Sequence, residues 1–137
     1  MHGHDDVALC SLEGLMGQAD IVTLHIPYSQ SSRHIISEKN ISLMKREAVL
    51  INTGRGGLVD ENSLYAALKA NKISGAALDC FENEPYTGNL IELDNVLLTS
   101  HAGSNAREAR LVMEQQSLNN LIQALHKIGL YKTKTVQ

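Results

Sequence analysis

Aromatic residues are scarce in this 137-residue chain, at one phenylalanine, four tyrosines and no tryptophan. Base-stacking surfaces and sugar-binding platforms are therefore poorly supplied. Positive charge is not in excess either. Twelve basic side chains against fifteen acidic ones leave a net charge of −3. That is not the footprint of a nucleic-acid binder, and no nucleic-acid partner is expected. Cysteine is rare, at two residues, Cys10 and Cys80, and no CxxC exists. A zinc knuckle and a thioredoxin-type redox pair are thereby excluded. Cys80 lies in the apolar run Ala76-Ala77-Leu78-Asp79-Cys80-Phe81 and reads as a small buried hydrophobe. No apolar stretch approaches the ~20 residues needed to span a membrane. The start, Met1-His2-Gly3-His4-Asp5-Asp6, lacks a signal-peptide core. His2 and His4 read as part of a frayed terminus, and no metal site is expected. The expected setting is reducing and cytoplasmic, without a membrane partner.

What is present is the composition of an ordinary globular domain, with 43% hydrophobic and 20% charged residues. Disordered and fibrous classes are thus excluded. Ser11 can cap a short helix through Ala19. Asp20-Ile21-Val22-Thr23-Leu24-His25-Ile26-Pro27 follows, a β-branched run suited to a strand buried on both faces. Ser37 to Lys45 reads as a weaker helix. Ala48 to Thr53 is a second strand, broken by Gly54-Arg55-Gly56-Gly57. Asp60 can cap a helix from Glu61 to Lys72, with Leu64, Ala67 and Leu68 on one face. Gly75 to Phe81 and Asn95 to Thr99 are third and fourth strands. Between them, Asn83-Glu84-Pro85 and Gly88-Asn89 mark a loop. Asn105 with Glu108 resembles a capping box. It opens a long helix with Leu111, Leu118, Leu121, Ile122, Leu125 and Ile128 on one side, stopped by Gly129. Lys132 to Gln137 is a polar tail.

Strands alternating with helices predict an α/β fold, a Rossmann-like parallel sheet of about four strands with flanking helices. The expected organisation is a tail over 1–10, this domain over 11–130, and a second tail over 131–137.

In such sheets ligands bind beyond the carboxyl ends of the strands. The first strand is followed by His25 and Pro27, and the second by Arg55. The third is followed by Asp79 and Glu84, and the fourth by His101. One sheet edge thus gathers an arginine, a carboxylate and a histidine. The guanidinium fork suits a carboxylate, and histidine suits proton transfer near neutrality. Each has a plainer reading. Arg55 can be a loop charge, Glu84 turn chemistry before Pro85, His101 a helix cap and His25 a strand-end hydrogen-bond partner. Their convergence favours function. The turn Gly54-Arg55-Gly56-Gly57 is not a dinucleotide fingerprint, because the third glycine of GxGxxG is absent.

Four blocks together resemble the D-isomer-specific 2-hydroxyacid dehydrogenase family. They are Ala19 to Pro27, Leu50 to Glu61, Gly75 to Pro85 and Asn95 to Gly103. The resemblance covers about residues 11–125. It implies an NAD(H)-dependent oxidoreductase that moves hydride between a nicotinamide and a D-2-hydroxy or 2-keto acid, with NADP not excluded. By the family pattern Arg55 binds the substrate carboxylate and polarises the carbonyl, His101 is the acid/base, and Glu84 pairs with it. The pattern places His25, Pro27, Thr53, Gly54, Arg55, Asp79, His101 and Gly103 along the cofactor.

Two departures stand out. Ser100 occupies a position where the family usually carries proline. The glycine-rich phosphate loop, the ribose-binding acid and the substrate-binding lobe have no counterpart upstream of Ser11. The expectation is therefore a fragment that holds the catalytic trio and half the cofactor site, with poor activity by itself. An exposed sheet edge and apolar helix face lead to an expected homo-oligomer. The alternative function is a non-enzymatic nucleotide- or partner-binding module of the corepressor type.

Overall fold

A computed structural model of the chain describes residues 7–103 and 107–128. They fall into two compact units that divide between His101 and Ala102.

In the first unit, the Ser11 hydroxyl accepts the Gly14 N–H at 3.1 Å and starts helix α1, Leu12–Gln18. Strand β1 is Ile21–Leu24 and helix α2 is Glu38–Leu43. Strand β2, Val49–Asn52, leads into a 3₁₀ turn at Gly56–Leu58. Asp60 then accepts the N–H groups of Asn62 and Ser63 and caps helix α3, Glu61–Lys69. Strand β3 is Gly75–Leu78 and strand β4 is Val96–Leu98, with a 3₁₀ turn at Asn89–Glu92 between them. The strands lie in the order β1-β2-β3-β4, all parallel. Thr23, Ile51, Ala77 and Leu97 are register partners across the sheet.

The expected parallel α/β sheet is present, with β3 ending at Leu78 rather than the expected Phe81 and with two further differences. The first is burial. Val22, Leu24, Leu50, Asn52, Ala76 and Leu78 are buried on one face, against Met16, Ile41, Leu64 and Leu68. On the other face Ile21, Thr23 and Leu97 are exposed, and Val49, Ile51 and Ala77 are half-buried. The strands are therefore not buried on both faces among the described residues. All their connecting helices pack on one side.

The second difference is the end of α3, three residues short of Lys72. Asn71 takes a left-handed φ of 50°. Its N–H donates to Leu68, and the Lys72 N–H donates to Ala67, at 3.0 and 2.9 Å. This is a Schellman stop in which asparagine does the work more often given to glycine.

The second unit contains helix α4, Arg107–Lys127, with an Arg110–Glu114 pair one turn apart at 3.1 Å. Leu111, Leu118 and Leu121 are exposed. Among the described residues, no helix is long and apolar enough to cross a membrane. The expected cap at Asn105, the stop at Gly129, residues 1–6 of the expected tail over 1–10 and the whole tail over 131–137 lie outside the described residues.

Candidate active site at the carboxyl edge of the sheet

Strand β2 ends in a buried asparagine, and that residue shapes the turn after it. Asn52 is 1% exposed. Its side-chain amide donates to the Arg55 carbonyl at 2.9 Å, and its side-chain oxygen accepts the Gly54 N–H at 3.1 Å. The backbone of Thr53, Gly54 and Arg55 is thereby held from below. Arg55 projects from this turn and is exposed, with Nη1 donating to the Gly54 carbonyl at 2.7 Å. Sequence reading missed Asn52. The available signal was a polar residue in phase with the buried positions of an apolar strand.

The next residue fixes the turn against the exit of β3. A Cβ on Gly56 would stand 1.8 Å from the Phe81 carbonyl carbon and 2.4 Å from the Glu82 nitrogen. Only glycine fits at this position. The Phe81–Glu82 segment that covers it leads directly to Glu84.

The Glu84 carboxylate receives the Phe81 N–H at 3.0 Å. It also faces His101 Nδ1, with both oxygens at 3.0 and 3.1 Å. These two donors, the Phe81 amide first and His101 second, hold the Glu84 carboxyl below its ordinary range. His101 itself takes a left-handed φ of 54°. Such a conformation is uncommon outside glycine, and in it the imidazole meets Glu84.

Asp79 is buried at the end of β3 and accepts the Thr99 hydroxyl. Cys80 is buried beside it, with its sulfur 3.6 Å from the Asn52 carbonyl. Burial pushes the Cys80 thiol up to about 11. It is an inert packing group, as its apolar setting implies.

Two cavities flank this edge. The first, of about 860 Å³, is lined by His25, Pro27, Arg33, Gly54, Arg55 and Glu82 among others. His25 is tied back to its own strand by a 3.0 Å contact between Nε2 and the Thr23 hydroxyl. The second, of about 600 Å³, is lined by Glu84, Pro85, Tyr86, Ile91, Leu98, Thr99 and Ser100, and Phe81 lines both. The Phe81 and Tyr86 rings stack at 4.3 Å. The structure therefore places His25, Pro27, Gly54 and Arg55 in one cavity and pairs Glu84 with His101 beside the other. Thr53 is exposed on the turn and lines neither. Gly103 belongs to the second unit.

A further cluster, absent from the sequence reading, borders the first cavity. Glu82 Oε1 meets His34 Nε2 at 2.9 Å and Arg33 Nη2 at 3.4 Å. The Glu82 N–H donates to Glu61 at 2.8 Å. Burial, opposed in part by that N–H, raises the Glu61 carboxyl above its ordinary value. Glu82 lies 48 residues from His34, and only the fold brings them together.

The family model for the NAD-binding domain of D-isomer specific 2-hydroxyacid dehydrogenases matches residues 2–103. The chain belongs to this family. It is 45% identical over 114 residues to a glyoxylate reductase of Aeropyrum pernix, covering 82% of this chain and 34% of that protein. It is 50% identical over 97 residues to a D-3-phosphoglycerate dehydrogenase of Methanocaldococcus jannaschii, covering 70% and 18%. Among solved structures it resembles an acyclic imino acid reductase in complex with NADPH and D-Arg. There the TM-score is 0.83 at 38% identity, over 92% of this chain and 41% of the other. A D-lactate dehydrogenase from Aquifex aeolicus, complexed with NAD and lactic acid, gives 0.73 at 31% identity, over 88% and 41%. The chain spans about a third of the length of the Aeropyrum relative.

The lining of the first cavity offers room for a small-molecule cofactor at this edge. The first cavity opens where β1 and β2 end, and its volume falls within the usual range for a small-molecule site, about 300–1,000 Å³. The 137 residues contain no glycine-rich phosphate loop of the GxGxxG type.

Proposed function

We propose that this chain supplies the catalytic edge of an NAD(H)-dependent oxidoreductase that interconverts a 2-keto acid and the D-2-hydroxy acid. The observation that carries the reading is the Glu84–His101 pair, set at the same sheet edge as Arg55. Arg55 presents a planar fork that matches a substrate carboxylate and, beside it, polarises the C2 carbonyl. When bound, the nicotinamide supplies or accepts the hydride at C2. His101 Nδ1 is engaged by Glu84, which leaves Nε2 to give a proton to the forming C2 hydroxyl or to take it back. Glu84 orients the ring and balances the charge that His101 carries in its protonated state. His25, Pro27, Thr53, Gly54, Asp79 and Gly103 are the positions assigned to the cofactor, with NAD the first choice and NADP the second.

The substrate class is a small 2-keto acid, in line with the glyoxylate reductases among the relatives. A reducing, cytoplasmic setting fits two free cysteines. A homo-oligomer fits the open sheet face, where Ile21 and Leu97 are exposed. Light scattering that returns a monomer mass would overturn that last point.

Titration of the chain with NADH, followed by fluorescence, and reductase assays with glyoxylate, hydroxypyruvate and pyruvate test the function. Turnover that falls sharply in Arg55→Lys supports it, because a point charge does not replace the fork. Nucleotide binding without turnover of any of the three acids favours a binding module instead.

A further inference from the structure

Arg33 takes no part in the chemistry described so far, yet it lines the same cavity as Arg55. Its backbone is well placed. Ser32 donates its hydroxyl to the Pro27 carbonyl at 3.0 Å, and the His34 N–H donates to Gly57 at 2.9 Å. Gly57 is two residues from Arg55, so the two arginines are carried on segments hydrogen-bonded to each other.

The electrostatics leave Arg33 available. Its partner Glu82 uses one oxygen for two donors, and His34 holds that oxygen at 2.9 Å against 3.4 Å for Arg33. The Arg33 side chain is half exposed, and an exposed pair of that length is weak. If Arg33 turns to a ligand, His34 keeps Glu82 partnered, so no carboxylate is stranded. Among the described residues, Arg55 pairs with no carboxylate and donates only to the adjacent Gly54 carbonyl.

We propose that Arg33 is a second anion-binding position in this cavity, so that the site prefers 2-keto and 2-hydroxy acids with a second carboxylate at the far end of the carbon chain. The proposal rests on the role given above to Arg55 as the first carboxylate's partner. Arg55 holds the carboxylate next to the reacting carbon, and Arg33 exchanges its long contact with Glu82 for the distal one.

The test compares 2-oxoglutarate with 2-oxopentanoate, which share a five-carbon backbone and differ in the distal carboxylate. Each is titrated into the 137-residue chain, with the amide resonances of Gly54, Gly56 and Gly57 as the readout. The diacid is expected to bind about tenfold more tightly, the scale of one added charge-assisted contact. Arg33→Gln removes that advantage and leaves 2-oxopentanoate binding unchanged. Arg33→Lys retains part of it, and Arg55→Gln weakens both acids. Equal binding of the two acids overturns the proposal. So does an advantage that survives Arg33→Gln, or a diacid that does not bind at all. A monoacid affinity unchanged by Arg55→Gln overturns the role given to Arg55 instead, whatever Arg33 does.

Discussion

The side-chain amide of Asn52 donates to the carbonyl of Arg55 at 2.9 Å, from a position almost fully removed from solvent. The same side chain accepts the Gly54 N–H. One buried residue thus sets the backbone from which the substrate-facing guanidinium projects. Asn52→Leu leaves both backbone groups without their partner inside the fold. The expected loss is about 1–3 kcal/mol of stability, measured by urea unfolding. Substrate-carboxylate affinity should fall with it. An unchanged midpoint would show that the turn holds its shape without the amide.

Gly56 and Gly57 are adjacent but are expected to respond differently to alanine. At Gly56 the new methyl meets the Phe81–Glu82 backbone, which cannot move without displacing Glu84. The expected cost is about 3 kcal/mol or more. At Gly57 the methyl meets only the Tyr28 ring, 2.5 Å away on a side chain that is partly exposed and can rotate. Gly57→Ala should cost under about 1.5 kcal/mol. Thermal melts of the two variants decide the point, and equal losses would contradict it.

Glu84 links the site to pH. Its carboxyl lies below the ordinary glutamate value of 4.5 in the folded chain, held there by the Phe81 amide and then by His101. A depressed folded value means stabilisation that is fully present above about 4.5. It is lost as pH falls through the lower folded value. Melting temperatures recorded from neutral pH to pH 3 should drop more steeply in the wild type than in Glu84→Gln. Parallel curves would show that the carboxylate gains nothing from its two donors.

Much of this was legible in the sequence because local chemistry decided it. Ser11 and Asp60 cap their helices as their hydroxyl and carboxylate predict, and four β-branched or apolar runs became four parallel strands. The rule that loops after parallel strands meet at one edge gathered Arg55, Glu84 and His101, and the family resemblance supplied the pairing of Glu84 with His101. What stayed hidden depends on contacts distant in the chain or on a backbone choice with little residue signature. The Glu82 cluster needs His34 from another loop. The φ of His101 and the Asn71 stop both use left-handed backbone at residues other than glycine. The strands read as buried on both faces because apolar continuity alone does not say on which side the helices pack.

Asn71 offers a check on local energetics. Asn71→Gly should be neutral or slightly stabilising, since glycine takes a φ of 50° without penalty. Asn71→Val should cost roughly 1–2 kcal/mol. Chemical denaturation of the pair measures both, and a valine variant as stable as wild type would show that α3 ends for another reason.

The central claim is that His101 moves the substrate proton while hydride reaches C2. The most direct measurement incubates the chain with NADH deuterated at nicotinamide C4, glyoxylate or pyruvate as acceptor, and follows deuterium into C2 of the product. Transfer is expected to be slow, since these residues include no phosphate loop to grip the pyrophosphate. It should still be measurable in the wild type, and should fall by about 100-fold or more in His101→Gln. Wild-type transfer no faster than that of His101→Gln would contradict the account.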